Sequence, residues 1–430
     1  MRLNHAPIHR ATDRRVALFG IIVALAFMAA ALASLALPEA TSKGLWLPLH
    51  LALAGGASSA IAGVMPFFVA AFAAARPADP AVRLSGLIGI AGGAAGVTVG
   101  VVAAPGGWLA PVGGLAYVAG VALTGAATIR PLCGALGPSR GIVSQAYVGA
   151  LLAVTIGATV ATLDLAGWPP VVEAWARLRP AHAWLNLIGF VSLITATTLL
   201  HFFPTVVGSR IAAHPSARLT VFGLGAGSIV VAAGYGLAVD VLVRVGAAIA
   251  VLGSLALARY AGRIWAARAR WTTDPSWHLF AIGGLVSAMT WFVTGMAILG
   301  ARAAVFGLAP SRWAVDVIVG PLVVGWIGLA FLASATHLVP AVGPGGSAAH
   351  ARQRHILGTA AAMRLITANG GVAAISMGLP LGTSGLATAG VVLVGLAFAA
   401  TAIFLARAVW IGLRRSAIHS PRTPPADGED

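Results

Sequence analysis

The chain has 430 residues, of which 59% are hydrophobic and only 9% are charged. A soluble domain carries about 25% charged residues, so a soluble fold of this length could not bury so much apolar surface. The composition therefore excludes a soluble protein and predicts an integral membrane protein. The formal net charge of +16 does not indicate a nucleic-acid partner, because the arginines fall between apolar runs, as the positive-inside rule describes. Cys133 is the single cysteine, which excludes an intrachain disulfide.

Apolar segments predict an all-α integral membrane fold of about twelve transmembrane helices. The polar residues 1–15 precede an apolar run from Val16 to about Leu37. A signal peptide has an apolar region of roughly 7–15 residues, whereas ~20 residues cross the hydrocarbon core, so we interpret this run as a retained first span. The predicted spans cover approximately 16–37, 46–75, 84–104, 109–129, 141–163, 182–207, 217–239, 241–259, 276–300, 313–339, 356–379 and 384–412.

The arginines in the connections predict the orientation of the chain. Arginine is concentrated in every second connection. These connections are 76–83, 130–140, 209–218, 259–270 and 350–355. Because arginine accumulates in cytoplasmic loops, we expect a plasma-membrane protein with residues 1–15 as a cytoplasmic tail, one transmembrane domain over 16–412 and a cytoplasmic carboxyl terminus. Residues 413–430 are polar and rich in proline, which predicts a disordered tail.

Two pairs of short segments echo each other and predict an internal repeat. NLIGFVSLITATTLLHFFPTVVG (186–208) and LVVGWIGLAFLASATHLVPAVG (322–343) each place a histidine twelve residues after a glycine, and a proline three residues later. The matched residues are Gly189, His201 and Pro204 in the first segment, and Gly325, His337 and Pro340 in the second. A second echo joins 50–64 to 278–292 through paired glycines. Many membrane proteins have such repeats.

Five histidines at membrane depth are the strongest candidates for a functional site. They are His50, His182, His201, His278 and His337. Ionisable side chains within spans are costly, so they indicate function. The spans hold hardly any Asp, Glu or Lys, which favours a metal or haem site over a cation pathway, because neutral imidazole is a common ligand of both. The alternative interpretation is that each histidine hydrogen-bonds a neighbouring helix or lies at headgroup level.

The five histidines separate into two layers. His182 and His201 are nineteen residues apart, which is roughly 28 Å along a helix, so they cannot share one ion. Even-numbered spans run inwards, which puts His50 and His182 near the outer face, where we expect them to bind one haem or one copper ion. His201, His278 and His337 form an inner layer that suits one copper or zinc ion, or a proton relay if no metal is bound. The alternative for the inner layer is that each histidine caps its helix end.

Other residues have weaker patterns. Arg364 lies about two turns into the eleventh span, either to neutralise a haem propionate or another anion, or to snorkel to the headgroups. Asp240 and Arg244 flank a tight turn and are predicted to pair. Several tryptophans at the edges of spans predict interfacial belts. They are Trp46, Trp168, Trp175, Trp271, Trp277 and Trp313.

Three blocks of the chain resemble a known family. HAWLNLIGFVSLITATTLLHFFPTVVGSR (182–210), LPLHLALAGGASSAIAG (47–63) and GWIGLAFLASATHLVPAVGPGG (325–346) are similar to the membrane region at the front of some actinobacterial copper oxidase and nitrite-reductase-like proteins. That region is in turn similar to catalytic subunit I of the haem-copper oxidase superfamily. The resemblance implies a twelve-helix bundle like subunit I. It also implies that His50 matches a haem-ligand position and that His182 lies on the helix that supplies a copper ligand.

The chain also departs from that superfamily. It has no adjacent His–His pair in the seventh span, no close His pair near the outer end of the tenth, and no tyrosine one turn from His182. The resemblance therefore does not imply dioxygen reduction at a full haem-copper centre. No cupredoxin domain follows the spans, so we expect any copper oxidase chemistry to require a separate cupredoxin or other redox protein.

Together these patterns predict a multi-pass membrane protein that binds haem b or copper through intramembrane histidines, for electron transfer or for copper or nitric-oxide handling. Any enzymatic activity would be that of an oxidoreductase-like membrane subunit. One alternative is a transporter for a small solute or a metal ion that has no redox cofactor, and another is a structural subunit of a respiratory assembly. The prevalence of histidines over carboxylates at membrane depth favours the first function.

Overall fold

The computed structural model describes residues 6–72, 75–133, 141–210, 214–268, 274–309 and 315–418. Within these ranges the chain forms helices and no β-strand. The all-α fold predicted from the apolar segments is therefore confirmed. Trp271, Trp313 and residues 419–430 of the predicted disordered tail lie outside the described ranges.

The described residues form α-helices that are interrupted at three places by π-helical turns. The α-helices are α1 (Ala6–Ser34), α2 (Glu39–Ser42), α3 (Trp46–His50), α4 (Ser58–Phe72), α5 (Pro80–Ala103), α6 (Leu109–Cys133), α7 (Ile142–Leu165), α8 (Pro169–Trp184), α9 (Leu193–Val206), α10 (Pro215–Leu237), α11 (Asp240–Ala266), α12 (Pro275–Phe306), α13 (Asp316–Ile318), α14 (Leu329–Val342), α15 (Ser347–Leu357), α16 (Ala361–Gly378) and α17 (Ser384–Ile418). The π-helices are π1 (Leu51–Ala57), π2 (Leu185–Ser192) and π3 (Val319–Gly328). Each π-helix continues directly from the α-helix before it into the α-helix after it. The predicted second, sixth and tenth spans are therefore composite helices.

Eleven helical segments within the described residues are long and apolar enough to cross a membrane. The protein is therefore a polytopic helical membrane protein that lies in a lipid bilayer. The sequence predicts about twelve spans, and the additional one, 356–379, coincides with α16. This helix has 18 residues and includes Arg364 and Asn369, whose polar side chains lower its hydropathy.

The helices extend beyond the predicted spans. α1 begins at Ala6, within the predicted tail 1–15, and α17 continues to Ile418, within the predicted tail 413–430. The sixth candidate span, Pro169–Val206, is helical for 38 residues, which is about 57 Å at a rise of 1.5 Å per residue. Because the hydrocarbon core is about 30 Å thick, α8 is long enough to continue beyond it.

Small residues allow neighbouring helices to approach closely. α5 and α6 pack with Gly89 against Gly120, where a Cβ on Gly89 would lie 2.8 Å from the Cα of Gly120. α10 and α11 pack in the same way, where a Cβ on Gly223 would lie 2.6 Å from the Cα of Gly253. Membrane helices associate largely through van der Waals packing, because lipid tails are as apolar as the side chains. A larger residue at these contacts would therefore separate the paired helices.

The chain forms two compact units. Unit 1 contains Met1–Phe202, Ile211–Arg263 and Val293–Ile318. Unit 2 contains Phe203–Arg210, Ile264–Phe292 and Val319–Asp430. His50, His182 and His201 therefore belong to unit 1, whereas His278 and His337 belong to unit 2. The hydropathy pattern, which predicts one domain over 16–412, does not reveal this division.

The first pair of echoed segments has the same local backbone. π2 leads into α9 and π3 leads into α14, and both α-helices have 14 residues. Gly189 and Gly325 each lie three residues before the end of their π-helix. His201 and His337 are each the ninth residue of the α-helix that follows. The match therefore extends from sequence to local structure, while a repeat of whole halves stays a prediction.

The second pair of echoed segments differs in backbone. Residues 50–64 contain π1, whereas 278–292 lie within the continuous helix α12. The paired glycines of the two segments therefore stand in different local structures, and this echo adds no support to a repeat.

The prolines of the first echo lie inside their helices. The sequence predicts that Pro204 and Pro340 end their spans, but α9 and α14 each continue for two more residues, to Val206 and Val342. A proline near the last turn costs little because few hydrogen bonds follow it. Proline has no N–H group, so each one still leaves the carbonyl four residues earlier without its helical donor.

Candidate functional site

His50 and His182 come together in unit 1. Their ring centroids are 6.4 Å apart, and the ring planes are inclined by only 11°. His50 is the last residue of α3, directly before π1, and His182 lies three residues before π2. The sequence predicts that these two imidazoles face each other, and the structure places them side by side. Binding of a haem or copper ion by this pair stays a prediction.

Backbone carbonyls fix the tautomer of both rings. Nδ1 of His50 lies 2.9 Å from the carbonyl of Trp46, and Nδ1 of His182 lies 2.9 Å from the carbonyl of Gly157 on α7. A carbonyl oxygen only accepts, so Nδ1 carries the hydrogen in each neutral ring. Nε2 of each ring then has its lone pair available. Metal-binding histidines are held in this way, with the second ring nitrogen donating to a carbonyl.

Asn186 adds a further contact to His182. Its amide nitrogen donates to the backbone carbonyl of His182 at 2.7 Å, and because Nδ1 of His182 carries the hydrogen, the 3.1 Å approach of this nitrogen to Nδ1 is a packing contact and not a hydrogen bond. Gly157 provides the space for this amide, because a Cβ on Gly157 would lie 2.5 Å from the Asn186 nitrogen. The absence of a side chain at Gly157 therefore permits both contacts of His182.

Two tryptophans cover the histidine pair. The Trp46 ring stacks on His50 at a centroid distance of 4.2 Å, and Trp175 of α8 lies 6.0 Å from the His182 ring. Trp46 precedes His50 by four residues and Trp175 precedes His182 by seven, so each pair shares one face of its helix. The sequence predicts both tryptophans as interfacial belt residues, and their contacts with imidazole rings give them a second role.

The hydropathy and the spacing of residues in the sequence do not predict the π-helices next to the histidines. π-helical turns are rare and occur often at functional sites. Glycines in them accommodate side chains from neighbouring helices: a Cβ on Gly55 would lie 2.2 Å from the Phe27 ring, and a Cβ on Gly189 would lie 2.7 Å from Oγ of Ser228. Glycines shortly after an intramembrane histidine are the sequence signal that could have drawn attention to these turns.

The inner layer divides between the two units. His201 belongs to unit 1, and His278 and His337 belong to unit 2. Within the described ranges, no group of three or more His, Cys, Asp or Glu residues is placed so that it could hold a metal ion. The metal site predicted for His201, His278 and His337 therefore stays a prediction.

Trp277 connects the two inner histidines of unit 2. Its ring is stacked on His337 at 5.2 Å with an inclination of 11°, and lies 4.6 Å from the His278 ring. Only 8% of Trp277 is exposed, so its prediction as a belt residue at the lipid interface is wrong. Burial occurs because the indole fills the space between α12 and α14, where the His337 ring and the Thr336 carbonyl are its partners.

Side chains from other helices satisfy the carbonyls that the two prolines leave free. Tyr260 donates its hydroxyl to the Leu200 carbonyl at 2.7 Å, and Trp277 donates its Nε1–H to the Thr336 carbonyl at 2.8 Å. Leu200 and Thr336 each precede the histidine of the echo by one residue. A buried aromatic donor therefore lies next to the histidine in both echoed segments.

Arg364 is part of the protein interior. It is only 4% exposed, and its guanidinium lies 4.0 Å from the Phe280 ring and 5.1 Å from the Phe404 ring. It donates to the Thr359 carbonyl at 3.0 Å and to Oγ1 of Thr401 at 3.1 Å. The snorkelling interpretation is therefore wrong, since the side chain turns inwards to protein acceptors. The predicted pair of Asp240 and Arg244 is confirmed, with a nitrogen–oxygen distance of 2.5 Å.

Comparison with known proteins adds no family. No protein-family model matches the chain, and no curated protein matches it.

Proposed function

We propose that the protein holds one redox-active metal, as haem b iron or as a copper ion, between His50 and His182, and uses it for electron transfer or for copper or nitric-oxide handling. The observation that carries this proposal is the parallel pair of imidazole rings with both Nδ1 atoms tied to carbonyls. Because carbonyls hold both Nδ1 atoms, Nε2 of each ring is the nitrogen that would bind a shared ligand.

The distance between the rings supports a shared ion. A metal–nitrogen bond is about 2.0–2.1 Å long and a ring nitrogen lies about 1.1 Å from its ring centroid, so two imidazoles that would hold one ion would have centroids at most about 6.3 Å apart. The observed distance is 6.4 Å. His50 and His182 would hold the ion through imidazole nitrogens, which suit both haem iron and copper.

The chain's own residues would prepare the pair for such an ion. The carbonyls of Trp46 and Gly157 would keep Nδ1 protonated and so leave the Nε2 lone pair of each ring for the ligand. Trp46 and Trp175 place indole rings against the imidazoles, which limits the access of water. A bound haem iron or copper would supply a one-electron couple. A separate cupredoxin or other redox protein would then exchange electrons with it, which makes the chain an oxidoreductase-like subunit.

The resemblance to subunit I of haem-copper oxidases supports the same proposal from the sequence. The three similar blocks include His50 and His182 and two of the three π-helical turns in full. Under this proposal the chain folds as a subunit I-like bundle in the plasma membrane with both termini in the cytoplasm. The missing histidine pairs distinguish its site from a full haem-copper centre.

Three variants of the purified protein test the proposal. His50→Ala and His182→Ala should each lose the bound haem or copper, because one imidazole remains where two are needed. His355→Ala is the matched control, since His355 is exposed on α15 and has no part in the pair. Retention of full metal content in both site variants would refute the assignment of the ligands.

A transporter for a small solute or a metal ion is the second candidate. The observation that favours it is the local repeat, in which π2–α9 and π3–α14 match in length, histidine position and proline position. Transporters are often built from repeated segments with interrupted helices. Flux of a candidate ion into proteoliposomes, in protein that contains neither haem nor copper, would support this function over the first.

A further inference from the structure

Two exposed tryptophans of unit 2 each carry an arginine side chain on the ring. The guanidinium of Arg268 lies 4.1 Å from the ring centroid of Trp265, and that of Arg414 lies 4.6 Å from the ring centroid of Trp410. The tryptophans are 38% and 54% exposed. Such cation–π contacts orient the guanidinium, and Nη1 of Arg268 also donates to the backbone carbonyl of Trp265 at 2.9 Å.

Both pairs lie at the carboxyl ends of their helices, α11 and α17. In the topology predicted from the sequence, these helices are the eighth and twelfth spans, and both end on the cytoplasmic side of the membrane. α16 packs against α17 in the antiparallel sense, with Gly378 next to Ala387 and Gly371 next to Val394. Arg268 follows Trp265 by three residues and Arg414 follows Trp410 by four. At a helical rise of 1.5 Å per residue, the Cα of each arginine is about 4.5–6 Å further along the chain than the Cα of its tryptophan.

This geometry matches the layers of a membrane surface. Indole rings lie at the level of the headgroups and glycerol backbone. A guanidinium that is held against an indole at this level is within reach of the lipid phosphates, to which its planar N–H groups can donate.

The charge of unit 2 favours an anionic ligand. Asp274 is the one carboxylate among the described residues of this unit, and it already pairs with Arg354 at 2.5 Å. Five arginines among the described residues of the same unit are exposed. They are Arg210, Arg268, Arg352, Arg407 and Arg414. Without neighbouring carboxylates, their charge is available to anions from outside the protein.

Exposed tryptophans at the other end of the spans lack this arrangement. Trp108, between α5 and α6, is 74% exposed, and Trp168, before α8, is 49% exposed. Among the described residues neither ring has a guanidinium over it. The combination of indole and guanidinium is therefore a feature of one membrane surface and not of exposed tryptophans in general.

We propose that Trp265–Arg268 and Trp410–Arg414 are two docking sites for the phosphate headgroups of anionic phospholipids. The indole of each pair lies against the glycerol region, and the guanidinium binds the phosphate. A leaflet rich in anionic lipid attracts basic residues near its surface, so these sites tie one end of unit 2 to that leaflet. The proposal is independent of any metal at His50 and His182.

Native mass spectrometry of the full chain in detergent tests the proposal. Phosphatidylglycerol and phosphatidylcholine with the same acyl chains are added in separate titrations, at low and at raised salt. The wild type should retain up to two tightly bound phosphatidylglycerol molecules and no comparable phosphatidylcholine, and raised salt should weaken this binding.

Arginine variants assign the binding to the two pairs. Arg268→Gln and Arg414→Gln should each weaken one site about fivefold, which corresponds to about 1 kcal/mol per basic residue, and the double variant should weaken both. Arg177→Gln is the matched control, because Arg177 is exposed on α8 at the other end of its span and should bind lipid as the wild type does. Unchanged phosphatidylglycerol binding in the double variant, or an equal loss in the control, would overturn the proposal.

Discussion

Gly157 on α7 is the position at which one added methyl group should disturb the His182 ring. Its carbonyl accepts the Nδ1–H of His182 at 2.9 Å, and a Cβ on Gly157 would lie 2.5 Å from the amide nitrogen of Asn186. A contact this short forces Asn186 and the start of π2 to move. Overpacking of this kind costs about 1–3 kcal/mol of stability. Loss of the hydrogen bond behind a metal-binding histidine weakens metal affinity by about 10–100-fold.

Gly149→Ala is the matched control for Gly157→Ala. Gly149 lies on the same helix, and no heavy atom of a neighbour lies within 4 Å of an added Cβ. Alanine is more stable than glycine inside a helix by roughly 0.5–1 kcal/mol, so the control should melt slightly above the wild type. We expect Gly157→Ala to melt below the wild type in detergent and to bind haem or copper more weakly in titrations. Equal melting temperatures and equal affinities in the two variants would refute the reasoning.

Four further predictions concern other parts of the chain. Tyr260→Phe and Trp277→Phe each remove the hydrogen-bond donor to a backbone carbonyl that proline leaves without its helical partner. Each variant should therefore lower the free energy of unfolding by about 1–3 kcal/mol in chemical denaturation. A variant as stable as the wild type would contradict this prediction. If His201, His278 and His337 share a ligand, the double variant His201→Ala with His337→Ala should lose no more metal or activity than either single variant. Additive losses of thermal stability with an unchanged metal content would show instead that each histidine caps its own helix. Desolvation, together with Arg263 and Arg259, lowers the pKa of His214 from its ordinary value of 6.5, and its Nδ1 accepts from the Ser216 N–H at 3.0 Å. Folded protein therefore binds a proton at His214 less readily than the unfolded chain does, so the melting temperature should fall as the pH drops below about 6.5, and it should fall less in His214→Asn. An identical pH dependence in both proteins would contradict the prediction. Cysteine-accessibility labelling on a Cys133→Ser background tests the topology, since a cysteine placed within 261–269 should react only from the cytoplasmic side.

The sequence predicts the His50–His182 pair because depth in a membrane can be counted along a helix. Each residue advances the chain by 1.5 Å, so the position of a histidine within an apolar segment indicates its layer. The angle between the two ring planes does not follow from the number of residues along the helix. It depends on π1 and π2, where one extra residue per turn rotates the following helix by about 100° relative to a regular α-helix. Hydropathy does not report such a change of phase.

Trp277 and Arg364 show why span-edge patterns mislead. An edge tryptophan and a basic residue near a helix end both fit a lipid interface, and most such residues do lie there. Their burial here depends on partners far away in the chain: Thr336 and His337 for Trp277, and Phe280 and Phe404 for Arg364. Only the packing of the helices brings these partners together, so the sequence of one span could not predict it.

The absorption spectrum and metal content of the purified protein test the central claim most directly. The protein should be expressed with ample haem and copper and measured in its oxidised and reduced forms. A shared ligand between His50 and His182 predicts a redox-sensitive Soret band or about one copper ion per chain. Folded protein that is colourless and free of metal would contradict the account and favour the transporter.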